Sequence, residues 1–281
     1  MIALLLGRDA PLSRFVLFFA FAILFGYLSV IQVWRLPEPR RAADATFGGF
    51  LVDVRSALAD RRLRRFLVYL CFFALTTSVL TAFLVVLSKR VFGLPDNFTV
   101  FLVAIGNLGA VGAGLVNRRL IDRLGPKPMI VFYQVAALAV AVFVAVSVTR
   151  VRGEGTAAVV VTLVAFFVAS AAQSGLYVSG LSYYYSLYPE HKHANLALLY
   201  SLVNGLVGTV AAYSGGVVLD ALEQRLAIPA SFRVLFLSIA AVTFVALVLA
   251  TALPLEGQRQ SRIRRRFRAF LVSARRRLPS A

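Results

Sequence analysis

Seven long apolar stretches punctuate the chain, at approximately 15–34, 66–88, 98–117, 129–148, 157–179, 195–219 and 232–253. A helix needs ~20 apolar residues to cross the hydrocarbon core of a bilayer, and each stretch has about that length or more. No Lys, Arg, Asp or Glu falls in the middle of any of them. Without water, backbone groups must be satisfied inside the segment. The pattern therefore predicts seven transmembrane helices and an all-α, polytopic integral membrane protein.

The polar connections divide the chain further. Leu36-Pro37-Glu38-Pro39 ends the first span, because proline does not continue a helix cheaply. Phe47, Phe50, Leu51, Val54, Leu58 and Leu63 then recur at helical spacing, opposite Asp53, Arg55, Asp60, Arg61 and Arg62. This predicts an amphipathic helix lying on a membrane surface. Phe92-Gly93-Leu94-Pro95-Asp96-Asn97 and Arg152-Gly153-Glu154-Gly155-Thr156 read as tight turns. The expected organisation is a leading span at 1–35, a basic linker at 36–65, a six-helix block at 66–254 and a basic tail at 255–281.

Charge orients these elements. Of 30 Lys and Arg residues, 22 fall in alternate gaps: 8 in 35–65, 4 in 118–128, 1 in 180–194 and 9 from 254 onward. Basic loops stay cytoplasmic. The N-terminus is thus expected outside and the C-terminus in the cytoplasm, in a plasma (inner) membrane. The net charge of +18 sits mainly beside spans, where topology and anionic lipid account for it, so no nucleic-acid partner is expected. The hydrophobic share of 60% and mean hydropathy of +0.82 agree with a bilayer as the principal partner. Cys71 is the one cysteine and reads as a small buried hydrophobe. MIALLL, followed by Gly7-Arg8-Asp9, is too short for a signal-peptide core.

Polar side chains inside spans are costly, and by default they mark function. They are Thr76, Thr77, Ser78, Asn107, Gln173, Ser174, Tyr177, Asn204 and Tyr213. Interhelical hydrogen bonding competes as an explanation for each. Gly106, Ala110 and Gly114 share a face by spacing, as do Gly208, Ala212 and Gly216, which predicts close helix approach. Tyr183, Tyr184, Tyr185, Tyr188 and Trp34 read as interface aromatics. Glu190-His191-Lys192-His193 lacks a metal-ligand pattern, so no metal and no cofactor are expected. No acidic residue lies at midmembrane depth, and no phosphate loop, zinc-binding helix or serine elbow occurs. An enzyme reading has no residues to carry it.

The six-span block also carries a faint repeat. Asn107 precedes Asp122 by 15 residues, and Asn204 precedes Asp220 by 16, each on the second helix of a triplet. Between the third and fourth spans stands Arg118-Arg119-Leu120-Ile121-Asp122-Arg123-Leu124-Gly125-Pro126-Lys127-Pro128. This resembles the cytoplasmic loop signature of the major facilitator superfamily, G-x-L-x-D-R-x-G-R-K, at Leu120, Asp122, Arg123, Gly125 and Lys127. It departs at Arg118, where the family prefers glycine, and at Pro126. Asp122 with Arg119, Arg123 and Lys127 forms a candidate cytoplasmic gate, and Gly125 can turn the chain at positive φ.

The resemblance extends to topology. One span, a basic linker and six spans are similar to the sixth helix, the linker and the second half of that family, a bundle of two three-helix inverted repeats. MIALLLG would be the outer end of the fifth helix. The resemblance implies a secondary transporter moving a small solute by alternating access, here a truncated chain, with a missing first half or a second copy as partner. It also implies that the first, second, fourth and fifth helices of this half line the cavity. Thr77, Asn107, Gln173, Tyr177 and Asn204 are then the substrate-binding candidates. A seven-helix receptor and a non-transporting membrane scaffold are the alternatives.

Overall fold

The computed structural model describes residues 58–151, 155–187 and 193–254, together with 20, 23, 24, 27, 28, 31, 52 and 54–56. Six long helices follow one another: α1 (Arg61–Arg90), α2 (Asp96–Leu124), α3 (Pro126–Arg150), α4 (Thr156–Ser186), α5 (His193–Glu223) and α6 (Ile228–Ala252). All six are long and apolar enough to cross a membrane. Most of the expected first span, most of the linker, and the basic tail lie outside the described residues. Within that first span the described Ala20, Ile23, Leu24, Tyr27, Leu28 and Ile31 are helical and exposed.

The helices outrun the apolar stretches that predicted them. α1 starts at Arg61, five residues before its apolar stretch, and carries Arg61, Arg62, Arg64 and Arg65 in its opening turns. Apolarity measures the hydrocarbon depth, whereas a helix continues into the headgroup layer, where long cations reach water. The start is fixed locally: the Asp60 side chain accepts from the Arg62 N–H at 2.7 Å. Lys89 and Arg90 close its last turn, favourably placed against the helix dipole. Gly93 and Gly125 have φ of 67° and 87°, a conformation glycine adopts without strain. Gly125 lets α2 hand over to α3 with no loop, as the sequence implied, and Pro126 then occupies a first-turn position where its missing N–H costs nothing.

The two triplets match. Their helices have 30, 29 and 25 residues, then 31, 31 and 25. Exchanging α1, α2, α3 for α4, α5, α6 also leaves the packing pattern unchanged. α2 packs on α4 as α5 packs on α1, and α3 packs on α4 as α6 packs on α1. An odd number of spans per triplet makes the repeat inverted.

Lipid offers no hydrophobic drive for helix association, so close packing and interhelical hydrogen bonds hold the bundle. Large side chains form a cluster at each end. Phe83, Leu84, Leu87, Phe92, Phe232 and Phe236 build one, and Phe66, Tyr69, Met129, Tyr183, Tyr184 and Tyr200 the other. Between them the helices approach one another through small residues. Gly106 lies against Phe166 and Ser170, and at Gly109 the Phe167 backbone carbonyl occupies the space a Cβ would need. The expected small-residue seams are corrected here. Gly114 and Gly216 face open space, and the true seams run through Gly106–Gly109–Ala113 on α2 and Gly208–Ala211–Gly215 on α5. A helix turns 100° per residue, so a seam one position off faces elsewhere.

Candidate functional site

Thr77, Asn107, Gln173 and Asn204 each lie within about a turn of the midpoint of α1, α2, α4 and α5. At 1.5 Å per residue they span a band roughly 10 Å deep. Their exposure differs. Asn107 is exposed, Gln173 and Asn204 are half-buried, and Tyr177 is 40% exposed. Thr77 is buried, and its hydroxyl donates to the Phe73 carbonyl at 2.9 Å. It does not share the open faces of the others. Ser78, one residue on, is half-buried and points its Oγ at Gly208 on α5.

An aromatic contact aligns α4 with α5. Tyr177 meets Tyr200 edge-on, with ring centroids 5.6 Å apart. The two helices run in opposite directions, so one turn back along α4 and one turn forward along α5 lead the same way. Those positions are Gln173 and Asn204, i−4 from Tyr177 and i+4 from Tyr200. Gly208, with Ser78 against it, is one further turn along α5. Amide side chains on α4 and α5 and a hydroxyl on α1 therefore rise in order above an aromatic floor. Phe66, Tyr184 and Tyr200 continue that floor, with centroids 5.4 Å and 5.7 Å apart for Phe66–Tyr184 and Tyr184–Tyr200. Amides supply both donors and acceptors, which suits a hydroxylated or amide-bearing solute. Asn107, on α2, stands apart from this row, and its neighbours Leu108 and Val111 are each 61% exposed.

Other buried polar groups were not legible as such in the sequence. Asn117, 1% exposed, donates to the Gly175 carbonyl at 3.3 Å and accepts from Ser179 Oγ at 3.2 Å. The Tyr133 ring lies over Gly175 and its hydroxyl donates to the Ala113 carbonyl at 3.2 Å. Gln134 is fully buried, accepting from Tyr69 and donating to the Thr243 carbonyl, both at 3.4 Å. These groups tie α2, α3 and α4 together, and α1, α3 and α6, with their hydrogen-bonding capacity already engaged between helices.

The ends of the bundle carry the charge. Arg90 pairs with both carboxylate oxygens of Glu223 at 2.9 Å, joining the ends of α1 and α5. At the opposite end, the loop motif is arranged differently from the expected four-residue charge cluster. Arg119, Asp122 and Arg123 are exposed, and Asp122 has no ion-pair partner among the described residues. Lys127 instead donates to the Thr251 carbonyl at 2.8 Å and to the Leu253 carbonyl, and Tyr183 donates to the Pro254 carbonyl at 2.9 Å. Lys127 thus caps α6 with a cation at its negative end, which is why it is not beside Asp122. Glu190, His191 and Lys192 lie outside the described residues.

Six apolar helices in two equivalent triplets, with a row of polar groups at mid-depth, define a polytopic membrane protein of the transporter type. The profile of the Major Facilitator Superfamily matches residues 3–212, and the chain belongs to that family. No curated protein matches the chain significantly.

Proposed function

We propose that this protein is a secondary transporter that carries a small hydroxylated or amide-bearing solute by alternating access. The observation that carries the reading is the ascending row of Ser78, Gln173 and Asn204 above Tyr177 and Tyr200, at the centre of a superfamily fold. α2 and α5 are the least enclosed helices, with 22% of each apolar segment buried against 56% for α1. Their open faces are where a second six-helix wall would close the path, supplied by further chain or a second copy. Such an arrangement lets two bundles rock about a site at the membrane centre. In this reading the end of the bundle that carries the Arg90–Glu223 pair and the α3–α4 connection is extracytoplasmic, and the Lys127 cap and loop motif are cytoplasmic, in a plasma (inner) membrane.

Reconstitution into proteoliposomes, with a panel of labelled polyols, sugars and amides, tests this. Saturable uptake that falls on Asn204→Ala supports the proposal. An intact fold that neither binds nor moves any of them, and that alters a cytoplasmic partner instead, would sink it in favour of a receptor or scaffold.

A further inference from the structure

A cavity of about 500 Å3 opens away from the central row, at the end of the bundle that carries the Arg90–Glu223 pair. Val91 at the end of α1, Val148, Thr149 and Val151 at the end of α3, and Ala230 and Arg233 in the first turns of α6 line it. That volume lies in the range that holds organic ligands, roughly 300–1,000 Å3. The side chains that line it are apolar except for the Thr149 hydroxyl, which donates to the Val146 carbonyl at 3.0 Å, and the Arg233 guanidinium. Arg233 is exposed and has no ion-pair partner among the described residues, whereas Glu223 at the same end is already taken by Arg90. The α6 N-terminus at Ala227 has no side-chain cap and adds its partial positive charge to Arg233, whereas the C-termini of α1 and α3 on the other walls carry the opposite partial charge, so the α6 wall is the anion-binding side.

Two exposed apolar rows lead away from the cavity into the bilayer. Leu237, Phe244 and Val248 follow Arg233 along one face of α6, and Val146, Val142 and Val135 precede Thr149 along one face of α3. These helices pack against each other. One positive head site above two parallel apolar rows matches an anionic amphiphile and gives a soluble anion nothing to bury.

We propose that this cavity binds a phospholipid with an anionic headgroup, its phosphate at Arg233 and its acyl chains along α3 and α6. The site is independent of the solute path, so it stands whether or not the transport reading does.

The test is native mass spectrometry of the full chain in detergent, titrated with dioleoyl phosphatidylglycerol, dioleoyl phosphatidylcholine or glycerol phosphate. Losing one charge-assisted contact is worth about 1.4 kcal/mol, a tenfold change in affinity. Phosphatidylcholine offsets the same phosphate with a choline cation, so phosphatidylglycerol should bind about tenfold more tightly, and Arg233→Gln should erase that difference. Arg225→Gln, at the same end but outside the cavity, should leave it unchanged. Ala230→Leu fills the cavity and should weaken both lipids. Retention of phosphatidylglycerol by Arg233→Gln at the unmutated level would overturn the proposal. So would full competition by glycerol phosphate, which would make this a soluble-anion site.

Discussion

Ser78 of α1 lies directly against Gly208 of α5: a Cβ on Gly208 would stand 2.5 Å from the serine Oγ. The same relationship recurs between Ser170 of α4 and Gly106 of α2, at 2.6 Å. The inverted repeat is thus written in side chains as well as in helix lengths. In each triplet, a serine of the first helix meets a glycine of the other triplet's second helix.

These seams make a packing prediction with a built-in contrast. At Gly109 the obstacle is the Phe167 backbone carbonyl, which cannot move without α4. At Gly208 it is a serine hydroxyl that can change rotamer. Overpacking costs about 1–3 kcal/mol, and Gly109→Ala should approach the upper end. Gly208→Ala should cost under about 1 kcal/mol, and Gly114→Ala, facing open space, should be neutral or better. Thermal unfolding in detergent ranks the three, and equal losses at Gly109 and Gly114 would show that α2 and α4 do not meet there.

The loop motif yields a second prediction. Lys127 holds the last carbonyls of α6, so Lys127→Met should fray that end, costing about 1 kcal/mol. Limited proteolysis near Pro254 should accelerate. Tyr183→Phe, which removes the bond to the Pro254 carbonyl, should act in the same direction and more weakly. Asp122→Asn should leave this readout unchanged, since Asp122 is exposed and unpaired among the described residues. Protection of the Pro254 region in Lys127→Met would remove the capping role.

Much of the fold was legible because bilayer burial imposes a coarse rule on composition, and six of the seven apolar stretches correspond to described helices. Gly125 was legible for a different reason, since a glycine between two spans has few other uses. Facing was harder. Thr77 and Ser78 are adjacent and chemically alike, yet one bonds its own helix and the other meets α5. Asn117 and Gln134 lie toward the ends of their apolar stretches, where a polar residue carries little signal. For Lys127 the sequence offers its neighbour Asp122, whereas its partners in the structure are more than a hundred residues away.

Tyr200 offers a test of stored instability. Its hydroxyl is fully buried with no hydrogen-bond partner among the described residues, and Gly180 leaves room for it at 3.2 Å from where a Cβ would stand. An unsatisfied buried hydroxyl costs about 1–3 kcal/mol. Tyr200→Phe should therefore raise the unfolding midpoint by a few degrees. If the hydroxyl finds a partner only in the other transport state, the same variant should also slow turnover. A fall in the midpoint would mean the hydroxyl is already satisfied.

Orientation is testable from the distribution of Lys and Arg, 22 of 30 of which lie on one side of the predicted topology. In a Cys71→Ser background, Gly153→Cys should react with an impermeant thiol reagent in intact cells, and Gln260→Cys should react only after permeabilisation. The reverse pattern would invert the topology.

If the central row is the solute site proposed above, binding and gating should separate. Asn204 and Gln173 sit one turn above the Tyr177–Tyr200 contact, where a solute would meet them, whereas Asp122 lies at the far end of α2. Removing one neutral hydrogen bond to a solute costs about 0.5–1.5 kcal/mol, which is roughly a two- to tenfold loss of affinity. Asn204→Ala and Gln173→Ala should each weaken binding by that factor and leave the maximal rate nearly intact. Thr77→Val should do neither, because its hydroxyl serves the Phe73 carbonyl. On the proposed transport reading, Asp122→Asn should slow turnover with affinity preserved, since an exposed carboxylate at that end of α2 would meet the opposing wall only as the two rock. Binding and uptake measured together on all four variants decide the assignment. Lost binding in Asp122→Asn, with Asn204→Ala unaffected, would place the solute at the loop rather than at the membrane centre.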